Sequence, residues 1–300
     1  MSFSSDVKGE LCQQPIQKRC CAIAECYGAL LYCNTFRHNE IKFITASHDF
    51  ARRLPKLFKK AFGLEFDRVA GLEGPGKGIL QITDRKKLKQ IFEAFGAEVD
   101  NTPVHHVNLA VLEEQCDKVS FMRGAFLAGG SVTDPEKRYH MELVTGHYYV
   151  SRETYSLLLE LGFSPKETTR GGNMVLYFKQ SDAISELLST IGASNAGMGI
   201  LSAKIEKSMS NTVNRKLNCD FANADKVVAA AQEQLLAIRK IEQDVGIFNL
   251  PEALQQAACL RIANPEASLA DLALLSDPQV TKSCLNHRLK KLVAIAATLG

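Results

Sequence analysis

The amino-acid sequence matches itself when shifted by 96 residues, and this periodicity limits the possible folds more than any other feature. Cys20 falls on Cys116, Ile23 on Val119, Gly28-Ala29 on Gly124-Ala125, and Leu30-Leu31 on Phe126-Leu127. Further on, Ile79-Leu80-Gln81-Ile82 falls on Val175-Leu176-Tyr177-Phe178, and Gly96 falls on Gly192. Between these anchors a shift of 100 aligns Ile41-Lys42-Phe43-Ile44-Thr45 with Met141-Glu142-Leu143-Val144-Thr145, so loops differ in length between the copies. The repeats cover about 18–97 and 114–193, leaving the last third of the chain outside the duplication.

Each copy carries the same alternation of periodicities. It predicts an apolar helix (Lys18–Leu31; Cys116–Ala128), then a strand (Glu40–Ala46; Tyr139–Thr145). An amphipathic helix comes third (Phe50–Ala61; Ser151–Leu161), stopped by Gly63 or Gly162. Next is a hairpin turning at Gly74-Pro75-Gly76-Lys77 or Arg170-Gly171-Gly172-Asn173. A last helix (Lys86–Phe95; Ala183–Ile191) ends at Gly96 or Gly192. One further short strand per copy is expected without a fixed position. The first helix of each copy gathers small residues on one side: Ala24, Gly28 and Ala29, then Gly124, Ala125, Ala128 and Gly129. Glycine in a helix interior costs about 1 kcal/mol relative to alanine. Close packing of the two helices against each other would offset that cost.

The nine cysteines, at 12, 20, 21, 26, 33, 116, 219, 259 and 284, form no Cys-x-x-Cys pair, and no Cys/His group has zinc spacing. They read as reduced, mostly buried thiols, with no metal site and no cofactor implied. No run of 18 uncharged apolar residues suggests a membrane span, and the polar first residues carry no signal-peptide pattern. The chain therefore reads as cytoplasmic. Net charge is only +3, but its distribution is uneven. Basic stretches run through Arg52, Arg53, Lys56, Lys59 and Lys60, and through Arg85, Lys86, Lys87 and Lys89. The segment from Gln279 onward carries Lys282, Arg288, Lys290, Lys291 and His287 without any acid.

The Gly-rich turn Gly71-Leu72-Glu73-Gly74-Pro75-Gly76-Lys77-Gly78 spells G-x-x-x-x-G-K but lacks the following Ser or Thr. A phosphate loop must also open a helix, whereas Ile79–Ile82 reads as a strand, so a hairpin turn is the better reading.

Beyond a polar connector at 203–223, the pattern is helical throughout 224–300: Ala224–Val245, then Pro251 to about Ala263, then Leu269–Leu275 behind a Ser268 cap, then about Lys282–Ala297. Leu285, Leu289, Leu292, Val293 and Ala296 mark the core face of the last helix. A short helix, a tight turn and a longer helix with a basic face make a helix-turn-helix. Its last helix would lie in the major groove of double-stranded DNA. Thr281, Lys282, Ser283, Asn286 and His287 could then reach base edges, and Arg288, Lys290 and Lys291 phosphates. His287 fits a plain surface role equally well.

Two such units joined by glycine-bearing helices resemble the LAGLIDADG homing-endonuclease fold. The clearest stretch is Arg123-Gly124-Ala125-Phe126-Leu127-Ala128-Gly129-Gly130-Ser131-Val132, followed by Asp134-Pro135. Taken whole, the chain resembles the WhiA family of bacterial sporulation and cell-division transcription regulators. Asn214-Arg215, Asn218-Cys219, Ala222-Asn223, Asn264-Pro265-Glu266-Ala267-Ser268-Leu269 and Asn286-His287-Arg288-Leu289-Lys290-Lys291-Leu292 carry that likeness. The resemblance implies an α+β fold, with a degenerate LAGLIDADG-like domain at 1–202, a linker at 203–223 and an all-α helix-turn-helix domain at 224–300.

Nucleases of this fold place a carboxylate at the end of each central helix to hold divalent cations. The resemblance puts those positions at Cys33 and Gly129, neither of which can serve. Glu25 and Asp117 lie further back along the helices, and Asp134 sits in a loop. The expectation is a nucleoid-associated transcription regulator without catalytic residues, bound to promoter DNA and working with other transcription factors or RNA polymerase. An active endonuclease and a cell-division protein-interaction module are the rival readings.

Overall fold

A computed structural model describes residues 2–72, 76–97 and 105–299. The chain divides into two compact units, one ending at Lys207 and the next beginning at Ser208.

The first unit opens with α1 (Phe3–Gln13), a helix that the polar first residues do not announce. Val7 and Leu11 on one face of α1 are buried in the core. In the first repeat, α2 (Arg19–Leu31) is followed by β1 (Thr35–Arg37), β2 (Glu40–Thr45), α3 (His48–Phe62), β3 (Arg68–Ala70), β4 (Gly78–Ile82) and α4 (Arg85–Ala94). The second repeats the order: α5 (Gln115–Gly129), β5 (Gly130–Val132), β6 (Met141–Thr145), α6 (Tyr148–Glu160), β7 (Lys166–Arg170), β8 (Asn173–Phe178) and α7 (Ser181–Ile191). The short strands without a fixed position are β1 and β5. Each is three residues long, too short to show an alternation.

Both sheets are antiparallel, with orders β1-β2-β4-β3 and β5-β6-β8-β7. Ile41 faces Ile82 in one, and Met141 faces Phe178 in the other. The first strand of each pair is thus displaced by 100 and the second by 96, as the two sequence shifts require. The difference lies in loops. The β1–β2 connection is residues 38–39, against 133–140 between β5 and β6; the β3–β4 connection is 71–77, against 171–172 between β7 and β8. Gly171 and Gly172 both have positive φ (56° and 81°), which a two-residue hairpin of this twist needs. In the first repeat, residues 73–75 of the Gly-rich turn lie outside the described residues. Immediately after Lys77 the chain enters strand β4, so no helix opens there to meet a phosphate.

The two repeats join through α2 and α5. A Cβ added to Gly28 would lie 2.9 Å from the Ala125 amide nitrogen and closer still to the Phe121 carbonyl oxygen. A Cβ added to Gly124 would meet the Ala29 nitrogen at 2.9 Å and the Glu25 carbonyl oxygen likewise. Each of these residues maps onto its counterpart through the 96-residue shift, so the crossing is a pseudo-two-fold of backbone against backbone. Beside it sits Glu25, 2% exposed. Its carboxylate accepts two hydrogen bonds from Arg53 (2.6 and 2.9 Å) and one from Arg123 (3.3 Å). Arg53 also donates to the carbonyls of Cys12 and Gln14. The fork geometry and the extra acceptors offset the cost of burying these charges.

The expected connector 203–223 is not a break. Helix α8 runs without interruption from Ser194 to Asp244. The segment is almost entirely exposed, which the polarity indicated. Polarity alone does not end a helix, however, and no Gly or Pro occurs between Gly199 and Gly246. The Glu10 carboxylate accepts from the Asn195 and Ala196 amides, capping the first turn of α8.

Replacing Gly28 by Ala should destabilise the first unit by about 3 kcal/mol, because the methyl group meets backbone that cannot step aside. Gly199→Ala, where a Cβ meets nothing within 4 Å, should be neutral or stabilising by up to about 1 kcal/mol. Paired urea melts followed by circular dichroism would test this. Equal midpoints for the two variants would disprove the crossing.

Candidate nucleic-acid interface

The second unit packs the end of α8 against α9 (Glu252–Ala263), α10 (Leu269–Leu275) and α11 (Lys282–Thr298). Ile238, Ile241, Leu254, Ala258 and Leu272 meet Leu285, Leu289, Leu292 and Ala296 in one core. Val293 packs at its margin. These are the positions on α11 that the periodicity assigns to the core, and burying them fixes which face of α11 looks outward.

Caps set the corner between α10 and α11. Ser268 Oγ accepts from the Asp271 amide and donates to the Asp271 carboxylate at 2.7 Å. Thr281 Oγ1 accepts from the Cys284 amide at 3.2 Å and caps α11. Thr281, read from sequence as a base-reaching residue, therefore has a structural task as the start of the helix. Ser276 Oγ bonds both the Ala273 carbonyl and the Val280 amide, tightening the turn between the helices.

Arg261 is the residue sequence reasoning missed. It is 2% exposed, on the same stripe of α9 as Leu254, Ala257 and Ala258. Its Nε donates to Gln234 Oε1 of α8 at 2.9 Å, and Nη1 donates to the Ala267 carbonyl at 2.7 Å. The guanidinium thereby ties α8 to the loop that enters α10. The signal was partial: Arg261 stands at i+7 on an apolar i, i+3, i+4 stripe, where a guanidinium either reaches solvent or is buried with partners.

The outward face of α11 gathers the remaining candidates. Lys282, Ser283, His287, Lys290 and Lys291 are exposed, and Asn286 and Arg288 partly so. Among the described residues, none of Lys282, Arg288, Lys290 or Lys291 forms an ion pair. The other basic stretches differ. Arg53 is buried on Glu25, Lys59 pairs with Glu65, Lys87 with Asp67 and Lys89 with Glu93. Charge on α11 thus faces outward without an ion-pair partner among the described residues, whereas elsewhere much of it is neutralised internally.

In the first unit, the ends of the paired helices carry no acid. Cys33 follows α2 and donates its thiol hydrogen to the Thr35 carbonyl; burial pushes this thiol up to about 12. Gly129 is the last residue of α5. Asp134 lies in the β5–β6 loop, where its carboxylate accepts from the Glu136 amide.

A duplicated α+β unit paired through glycine-bearing helices, with a three-helix corner behind it, defines a LAGLIDADG-like domain followed by a helix-turn-helix. Known proteins agree with this. Residues 118–210 match the WhiA LAGLIDADG-like domain, and residues 213–296 match the WhiA C-terminal HTH domain. A probable cell division protein WhiA of Ruminiclostridium cellulolyticum is 35% identical, covering 99% of this chain and 97% of its own. The relative of that name in Alkaliphilus metalliredigens is 34% identical, covering 99% and 98%. The crystal structure of full-length WhiA from Thermatoga maritima superposes with a TM-score of 0.60 at 26% identity, covering 100% of this chain and 99% of that one. The chain belongs to the WhiA family. No helix of the described residues is long and apolar enough to cross a membrane.

Arg261→Ala should lower the stability of the second unit by about 3 kcal/mol, since it leaves a cavity and unpaired acceptors. Thr281→Ala should cost about 1 kcal/mol, and Thr281→Ser little. Chemical denaturation of each variant provides the check; an Arg261→Ala protein with wild-type stability would remove the proposed tie.

Proposed function

We propose that this chain is a sequence-specific DNA-binding transcription regulator acting in cell division, with α11 as its reading helix. The observation that carries the reading is the acid-free, unpaired basic face of α11, built on an independently packed core. Its first turns offer Lys282, Ser283, Asn286 and His287 to base edges. Asn286 suits adenine, whose N6 and N7 match an amide in a bidentate pair. Arg288, Lys290 and Lys291 suit phosphates, which fix register without reading sequence. Thr281 contributes by starting the helix in the right place; its capped hydroxyl keeps one hydrogen to donate. The partner is promoter duplex DNA, with other transcription factors or RNA polymerase as protein partners, and the site of action is the nucleoid. The cell-division role is supported by the names of the relatives.

The LAGLIDADG-like domain serves in this reading as a scaffold or second DNA contact without nuclease activity. Hard divalent cations need carboxylate ligands at the scissile phosphates. Cys33 offers a thiol held to a carbonyl, and Gly129 offers no side chain. Purified protein incubated with plasmid and Mg²⁺ or Mn²⁺ should leave the DNA supercoiled. Metal-dependent nicking that is lost on substituting residues at the α2–α5 ends would overturn this part.

For the reader, Lys290→Ala should weaken specific and random DNA together and reduce the salt slope by about one unit. Asn286→Ala should cost roughly 1–3 kcal/mol on the preferred site and little on random duplex. Fluorescence anisotropy titrations at several salt concentrations separate the two. If both variants bind like wild type, α11 is not the reader; if the wild type binds no DNA at moderate salt, a protein-interaction role takes its place.

A further inference from the structure

The first turns of α2 and α5 bring together two pairs of neighbouring side chains from distant parts of the sequence. Cys20 and Cys21 are the second and third residues of α2, and Cys116 and Asp117 are the second and third of α5. The 96-residue shift maps Cys20 onto Cys116 and Cys21 onto Asp117, so the cluster lies across the same pseudo-two-fold as the glycine crossing. The Cys20 and Cys21 sulfurs are 3.9 Å apart, and the Cys116 sulfur is 3.7 Å from Asp117 Oδ1. All four ligand atoms lie within 4.8 Å of one another.

Those separations are close to those of a ligand shell. Zinc binds thiolate sulfur at about 2.3 Å and carboxylate oxygen at about 2.0–2.2 Å, so the edges of a tetrahedral Cys₃Asp shell are roughly 3.5–3.8 Å. Contraction of the longest edge by about 1 Å closes the cluster into that shell. A second observation points the same way. Asp117 is only 4% exposed, and among the described residues it forms no ion pair. One oxygen accepts the long capping bond from the Glu114 amide at 3.4 Å, and the carboxylate's other contacts are weak ones from the Cys116 and Cys20 thiols. A buried carboxylate ordinarily has a countercharge. Cys20 is exposed, and Cys21 and Cys116 are half-buried, which leaves a path for an ion to enter.

We propose that Cys20, Cys21, Cys116 and Asp117 bind a thiophilic divalent cation of the zinc type. Three thiolates select against Mg²⁺ and Ca²⁺, which take oxygen ligands. Four protein ligands leave no open position, so the site is structural and not hydrolytic. It pins the two repeats together where α2 and α5 begin.

The test uses the full chain, purified under reductant and stripped with a chelator. Zn²⁺ titrated against a chromophoric chelator should bind at one equivalent and raise the melting temperature. Co²⁺ should give thiolate charge-transfer bands and tetrahedral ligand-field intensity. Cys20→Ser/Cys116→Ser should abolish both signatures. Asp117→Asn, which retains all cysteines, should lower affinity by more than about tenfold, since a direct ligand counts for at least as much as a residue that only orients one. Replacing the exposed Cys219, Cys259 and Cys284 by Ser should change nothing. Failure of the wild type to bind, an octahedral cobalt spectrum, or a disulfide among the three thiols in reduced preparations would overturn the proposal. So would binding that survives Cys20→Ser/Cys116→Ser, or that is lost with the three distant cysteines. Should the double serine variant not fold, unchanged zinc affinity in Asp117→Asn is equally decisive.

Discussion

Two glycines set the geometry of the first unit. At Gly28 and Gly124 a helix backbone comes so close to its partner's that no side chain fits on either, and each half-site is the image of the other. The apolar residues flanking the crossing, among them Leu30, Leu31, Phe126 and Leu127, are buried because the two helices meet there. Each sheet then covers its own repeat: Ile41, Phe43, Leu80 and Ile82 of one sheet and Met141, Leu143, Leu176 and Phe178 of the other are buried in one continuous core. A sheet needs an apolar partner layer. Within each repeat α3 or α6 supplies part of it, as where Phe43 meets Phe50 and Phe58, and the helix pair supplies the part that the two repeats share.

The second unit is organised by a different kind of contact. Its helices share a small, aliphatic core. What fixes their mutual placement is a buried guanidinium shared between Gln234 and the 264–267 loop, with hydroxyl caps at Ser268 and Thr281. Such polar contacts are directional where hydrophobic burial is not. Directional bonds of this kind hold α11 against small tilts, which would move every side chain on its outer face together.

Much of this was legible from sequence because it is periodic. The duplication, the small residues at the crossing, the order of helices and hairpins, the core face of α11 and its acid-free outer face all follow from spacing. The remainder was short, negative or three-dimensional. The strands β1 and β5 have too few residues to alternate. The 203–223 segment reads as a connector because it is polar, yet polarity does not break a helix and no Gly or Pro occurs in it. Arg261 needed its partners to be seen before its burial made sense. The thiol cluster defeats any rule built on ligand spacing, since its two pairs lie nearly a hundred positions apart and only the repeat superposes them.

The buried triad at Glu25 breaks the symmetry that the glycines establish. The 96-residue shift places Phe121 opposite Glu25 and Tyr27 opposite Arg123. The acid therefore belongs to one repeat and its second arginine to the other, and the arrangement has no mirror copy. Were two first repeats to associate, each Glu25 would meet a tyrosine where it now has a guanidinium. Were two second repeats to do so, each Arg123 would be left facing a phenylalanine. The pairing of the two halves is in this way specific, like a lock with a distinct key. Arg53 would still hold Glu25 in such a pair, so what a like pairing loses is the one bond that crosses between the repeats, from Arg123.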